Sequence, residues 1–180
     1  MCGILRTAWQ ERADRGAALA FLRPFASHAS WRLRETVAIA IQELSPGSLP
    51  QTLIHLETWA GGNALERRAV AAGICEPKLL KNPSFAGDVF RLLSAITLPF
   101  DHDRKLAGAE ESLRKTLGYG WSVALAAYPE PGRDEFSKLL PHKGKHVQWI
   151  VRENLKKDRL LKMDAAWVEA CRAQTLAGPA

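Results

Sequence analysis

The chain has 180 residues, 47% apolar and 24% charged, which is the composition of a folded globular domain and excludes wholesale disorder. Its longest uncharged run, Thr116 to Pro129, covers fourteen positions and contains Gly118 and Gly120, too short and too interrupted to span a bilayer. Twenty-five Lys and Arg against nineteen Asp and Glu give a net charge of +6, which points to an anionic partner.

The first residues, with Arg6 and Glu11 and no long apolar core, predict no signal peptide, so a soluble cytoplasmic protein is expected. Leu33, Val37, Ile41 and Leu44 recur at helical steps, and Ser45-Pro46-Gly47 stops that helix. Leu53, Leu56 and Ala60 begin a second stripe that ends at Gly61-Gly62, with Asn63 placed to cap the next helix. That helix carries Leu65, Ala69 and Ala72 before Pro77. Asn82-Pro83 marks another helix start, followed by Val89, Leu92, Leu93 and Ile96 at core spacing. Leu113, Leu117, Trp121, Leu125 and Tyr128 predict a long helix ended by Pro129 and Pro131-Gly132. Val147, Ile150, Val151 and Leu155 lie on a basic amphipathic helix: from Lys143 to Lys162 seven Lys or Arg face two acids. The stretch 168–180 is expected to fray. The chain reads as all-α, one domain over 1–180.

Within it a pattern recurs. Trp31-Arg-Leu-Arg-Glu-Thr-Val37 and Trp149-Ile-Val-Arg-Glu-Asn-Leu155 share Trp, an apolar residue, Arg, Glu and a final apolar residue. Ala64-Leu-Glu-Arg-Arg-Ala-Val70 and Glu111-Ser-Leu-Arg-Lys-Thr-Leu117 keep part of it. The four segments start 33, 47 and 38 residues apart, near the length of a helix-pair repeat. The expected fold is a right-handed superhelical solenoid of four to five HEAT-like antiparallel helix pairs. An irregular helical bundle is the alternative. In the solenoid, Leu33, Val37, Leu117, Val151 and Leu155 are expected between layers.

At these residues the chain resembles HEAT-like repeat proteins, and more specifically the bacterial alkylpurine DNA glycosylase (DNA alkylation-repair) family. Asn63-Ala-Leu-Glu-Arg-Arg-Ala-Val70 is similar to that family's Asn-x-aromatic-x-Arg-Arg segment. Leu113-Arg-Lys-Thr-Leu-Gly-Tyr-Gly-Trp121 is similar to its apolar-x-Lys-Ala-Ile-Gly-Trp segment. The resemblance implies a superhelix presenting a basic concave surface to duplex DNA, acting as a monomer without metal or cofactor. It places Trp31 at a tryptophan and Glu35 at a carboxylate flanking the damaged nucleotide, Arg67 or Arg68 at a phosphate-gripping arginine, and Tyr119 at a second tryptophan. The chain departs from the family with Glu35 for an aspartate, Tyr119 for tryptophan and Leu65 for an aromatic residue. Base excision, with Glu35, Trp31 and Tyr119 as its catalytic residues, therefore stays open.

Residues 31 and 35 are one helical turn apart, so an aromatic ring and a carboxylate share a face. Such a pair could stabilise the cation that forms on a deoxyribose as its glycosidic bond breaks. Trp149 and Glu153 repeat the arrangement, which favours packing and a local Arg–Glu ion pair as the alternative. Arg34, Arg67, Arg68, Arg114, Lys115, Arg152 and Lys156 fall on the repeated helices and are expected to grip phosphates without reading sequence. Pairing with Glu35, Glu66, Glu111 and Glu153 is the competing fate of those charges. His142 and His146, like Asp101-His102-Asp103, have lysine, glycine or capping contexts that argue against a metal site. The competing function is a scaffold whose basic face meets an acidic protein.

Overall fold

The computed structural model describes residues 14–176, and among these all regular structure is helical. Nine α-helices follow one another: α1 (Arg15–Ala26), α2 (Trp31–Leu44), α3 (Leu49–Ala60), α4 (Ala64–Ile74), α5 (Ala86–Thr97), α6 (Gly108–Ala127), α7 (Pro129–Ser137), α8 (Lys145–Leu155) and α9 (Asp158–Leu176). Short 3-10 turns, Pro83–Phe85 and Leu98–Phe100, flank α5.

The helices begin and end where local chemistry dictates. Asn63 accepts the amides of Leu65 and Glu66 while the Glu66 carboxylate accepts the Asn63 amide, a reciprocal cap that starts α4 immediately after Gly61-Gly62. Arg23 of α1 donates to the same carboxylate at 2.8 Å, tying α1 to α4. That guanidinium, with the Asn63 amide behind it, holds the Glu66 carboxyl below its ordinary value. Gly47 has φ of 73°, the left-handed turn that separates α2 from α3.

Helix α2 packs on α4, α4 on α6, and α6 on α8; a second row runs α1 to α3 to α5 to α7. Helix α9 lies against α8 and α6. Val37 and Ile41 of α2, Val70 and Ile74 of α4, Leu117 and Trp121 of α6, and Ile150 and Val151 of α8 are fully buried where these helices meet. Each such side chain contributes about 1.5–3 kcal/mol by leaving water. Leu33, expected with them, is only half-buried; it lies in the first turn of α2, next to the exposed Trp31 and Arg32. Phe90 of α5 stacks on Trp121 at 5.8 Å and Phe136 of α7 meets the same indole edge-on at 5.7 Å. The Trp121 Nε1–H donates to Thr97 Oγ1 at 2.9 Å, so the buried indole leaves no orphaned donor.

One contact binds the α6–α8 seam through the backbone itself. Asn154 is fully buried. Its Oδ1 accepts the Ser122 amide at 2.8 Å, and its Nδ2 donates to the carbonyls of Leu117 and Ile150, each at 2.8 Å.

The long helix α6 ends at Ala127, just before the Pro129 expected to stop it, and a helix the sequence reading did not include, α7, starts at Pro129 itself, because proline costs nothing in a first turn whose amides have no helical acceptor. Within 168–180, the residues up to 176 are helical and not frayed, since Val168 and Cys171 are buried and Arg172 donates to the Leu155 carbonyl. Residues 177–180 of that expected tail lie outside the described residues. Asp164 interrupts α9 with extended backbone and caps a fresh start by accepting the Trp167 amide at 3.0 Å.

Candidate functional site

Three neighbouring helices bring together Glu35, Arg68 and Tyr119. Arg68 of α4 donates one guanidinium nitrogen to both Glu35 oxygens, at 2.7 and 3.0 Å. The partners are unequally exposed: the Glu35 side chain is 43% exposed and that of Arg68 is 15% exposed. The guanidinium therefore supports the carboxylate from below and presents it outward. Tyr119 of α6, 41% exposed, stands close enough to sense both charges. Burial of part of its ring, chiefly, pushes the phenol above its ordinary value; Cys75 and Glu35 add to the rise and Arg68 opposes it.

Trp31, one turn before Glu35, is 60% exposed, and the Arg32 guanidinium lies 5.3 Å from its ring centre. An exposed indole and a held carboxylate on α2 and a half-open phenol on α6 thus stand on the two neighbours of α4 in the row. The ion pair of Glu35 is not the local Arg–Glu contact expected within its own segment. It crosses from α2 to α4, because position 35 turns towards the neighbouring helix while Arg32 turns to Trp31.

The second Trp–Glu copy is built differently. Trp149 of α8 is half-buried, with the Arg114 guanidinium 4.4 Å above its ring. Gly118 of α6 makes room beneath: a Cβ there would stand 2.8 Å from the indole. Glu153 binds Lys156 on its own helix at 2.5 Å.

The residues expected to contact phosphates divide into two groups. Arg34 donates to the carbonyls of His28 and Ala29 at 2.7 and 2.8 Å, closing the turn after α1. Arg68 is committed to Glu35, Lys156 to Glu153, and Arg114 to Trp149 and to His146 Nδ1 at 3.1 Å. Lys115 and Arg152 are exposed and have no ion-pair partner among the described residues. Arg67, half-buried, lines a cleft beside the start of α4 and has a buried Nε without a hydrogen-bond partner there.

The histidines are fixed by neighbouring groups. His142 Nδ1 meets the Asp101 carboxylate at 2.7 Å, and Asp101 also accepts the Gly144 amide. His142, followed by the Gly144 amide, holds that carboxyl below its ordinary value. Asp103 accepts the Lys145 amide, so this acidic pair caps α8 from a distant part of the chain. His146 is buried between Arg114 on one ring nitrogen and the Arg104 carbonyl on the other, at 2.7 Å, so its Nε2 donates and its Nδ1 accepts. No group of three or more His, Cys, Asp or Glu has metal-binding geometry among the described residues. Burial drives the Cys75 thiol up to about 12 and that of Cys171 up to about 11, so neither is a ready nucleophile. Cys2 lies outside the described residues.

Sequence reasoning did not find the convergence of the Arg104 loop on α8 through His146. The only signal was the run Asp101-His102-Asp103 itself, polar residues placed between two helices. No helix among the described residues is long and apolar enough to cross a membrane. Comparison with family models, with curated proteins and with solved structures returns no match for this chain.

Proposed function

We propose that this chain is a duplex-DNA-binding protein of the HEAT-like type, in which the Glu35–Arg68 pair between Trp31 and Tyr119 receives a nucleotide. The fold reading behind it is a right-handed solenoid of helix pairs, supported by the succession of α2, α4, α6 and α8 beside a second row. The observation that carries the function is the outward carboxylate: Glu35 is held by a more buried Arg68 and flanked by aromatic side chains at 60% and 41% exposure. Large exposed aromatics are costly to leave in water and suit stacking on a base or sugar.

The chemistry this arrangement fits is hydrolysis of an N-glycosidic bond to an alkylated, cationic purine. The bond electrons leave with the base, which becomes neutral, and positive charge grows on the deoxyribose. Glu35 stabilises that charge and takes the proton from the water that adds to the sugar carbon. Trp31 contributes the negative face of its ring to the same cation. Lys115 and Arg152 supply exposed charge for phosphates.

Release of methylated base from alkylated duplex DNA by the purified protein tests the catalytic part. Affinity for duplex measured against salt tests the binding part. Salt-dependent binding without base release reduces the proposal to a DNA-binding surface. Neither binding nor release leaves the scaffold for an acidic protein, which the same basic surface serves.

A further inference from the structure

A cavity of about 390 Å³ opens between the turn that joins α2 to α3 and the stretch from α4 to the Pro83–Phe85 turn. Small-molecule sites commonly run from about 300 to 1,000 Å³, so it has the size of one. Its body is apolar: Pro46 and Leu49 line one side, Leu79 and Phe85 the other. Lys78 and Lys81 also line it, and among the described residues no acid does. It lies at the far end of α2 from Trp31, about 20 Å away along that helix.

Both walls are set by hydrogen bonds of their own. On the α2–α3 side, Gly47 takes its left-handed φ of 73°, and the Ser48 amide donates to the Ser45 carbonyl at 2.9 Å. The Ser45 hydroxyl donates to the Ile41 carbonyl at 2.6 Å, which ties the turn to α2. Opposite, the Leu79 amide donates to the Glu76 carbonyl at 2.9 Å. The Asn82 side chain accepts the Ser84 amide at 3.0 Å, and the Asn82 carbonyl accepts the Phe85 amide at 3.2 Å. Leu49 and Leu79 are buried and Phe85 is half-buried, so the apolar lining is anchored in the core. Walls already ordered cost little conformational entropy when the cavity fills.

The lysines decide the charge of what fits. Both are exposed, and neither has an ion-pair partner among the described residues. Glu76, close to them in sequence, accepts the Lys78 amide with its side chain and does not line the cavity. Two uncompensated ammonium groups favour an anion, and the apolar side chains beside them favour a hydrocarbon or aromatic body. Inorganic phosphate would meet the charges but gain nothing from Leu49, Leu79 and Phe85, which offer it no donor. A neutral compound would gain the lining and leave the ammonium groups unused.

We infer that this cavity binds a small amphipathic anion, an aliphatic or aromatic carboxylate, with its apolar body against Leu49, Leu79 and Phe85 and its charge towards Lys78 and Lys81. None of these residues belongs to the Trp31–Glu35–Tyr119 surface or to the charges assigned to duplex binding, so the site stands apart from the function proposed above.

Fluorescence titration of the whole chain with anilinonaphthalene sulfonate, an apolar anion whose emission rises on burial, tests the site. Wild-type protein should bind the dye saturably, and octanoate should displace it where inorganic phosphate at the same ionic strength does not. Lys78→Gln and Lys81→Gln together should weaken dye binding about tenfold, the worth of two exposed charges. Lys162→Gln on α9 should leave it unchanged. Phenylnaphthylamine, the same rings without the sulfonate, should bind less tightly than the dye. Phe85→Ala should also weaken binding; if that variant fails to fold, the exposed lysine pair carries the comparison. Absence of saturable binding by wild type, or wild-type affinity in the lysine variant, overturns the inference. Displacement by phosphate as effective as by octanoate overturns the apolar half, and equal affinity for phenylnaphthylamine overturns the anionic half.

Discussion

Trp31-x-x-x-Glu35 and Trp149-x-x-x-Glu153 are the same words in sequence and different objects in the fold. In α8 the indole is clamped between Gly118 and the Arg114 guanidinium, and the glutamate bonds along its own helix. In α2 the indole is 60% exposed and the glutamate is held by the next helix in the row. The difference arises from position in the stack. Helix α8 lies between α6 and α9, and Gly118 of α6 leaves its tryptophan a seat, whereas Trp31, in the first turn of α2, stays exposed while Val37 and Ile41 farther along are buried. Repetition in sequence therefore did not mean repetition in surroundings: one copy is packed and paired along its own helix, and the other has an exposed indole and a glutamate held across helices.

The largest effect that separates the copies concerns chemistry. Glu35→Gln should lower release of methylated base by about two to three orders of magnitude with fold and duplex affinity retained, the usual worth of one positioned electrostatic group. Glu153→Gln should leave release unchanged in the same assay. Equal, small effects from both would make the two pairs equivalent after all and break the comparison.

Stability should reverse the order. Trp149→Ala empties a seat between α6 and α8 and should cost about 2 kcal/mol in denaturant unfolding, below the loss for a fully buried indole. Trp31→Ala removes an exposed ring and should stay within about 0.5 kcal/mol. A large loss from Trp31→Ala would show that the α2 indole is structural.

Duplex binding offers a finer measure. Reversing Lys115 and Arg152 together should weaken binding to all sequences alike and reduce the salt slope by about one unit for every phosphate no longer neutralised. Reversing Lys156, which is engaged with Glu153, should change the slope less, as followed by fluorescence anisotropy across a salt series.

Acid should act on the α6–α8 end with the smallest effect. Glu110 has its folded value lowered from 4.5 to about 2, by Arg104 first. A depressed carboxyl contributes stability that is complete above its unfolded value and is lost as pH falls through its folded value. The Arg104–Glu110 contribution should therefore fade between about pH 4.5 and about 2, modestly because the pair is largely solvated. Glu110→Gln should flatten that part of a pH–stability curve measured by thermal unfolding.

Much of the core was legible because helical stripes announce themselves. Val37, Ile41, Leu117, Trp121, Ile150 and Val151 follow the 3.6-residue period and are buried as expected. Asn63 declared itself as a cap by following Gly61-Gly62, and the structure completes that cap with the Glu66 carboxylate. Helix α7 was missed because Pro129, Pro131 and Gly132 are breakers in mid-helix yet neutral at a start. The second start inside α9 was signalled only by Asp164 three residues before Trp167. In the candidate site, the sequence placed an arginine pair but could not assign its members. A rotation of about 100° per residue sends Arg68 to Glu35 and Arg67 to the cleft, and only the packing of α4 between α2 and α6 fixes which is which. Arg34 and Arg114 read as surface charge because their acceptors, backbone carbonyls and an aromatic face, have no charge signature in sequence.

Asn154 gives the row a further property. Its side chain completes hydrogen bonds of the α6 backbone, at the Ser122 amide and the Leu117 carbonyl, from within α8. Amide exchange at Ser122 therefore requires α8 to leave, even though α6 remains helical on either side. Native-state hydrogen exchange should show Ser122 opening with the same free energy as the interior amides of α8, as one cooperative unit. Asn154→Leu should uncouple the two helices, releasing Ser122 to exchange by local motion while the buried amides of α4 keep their protection.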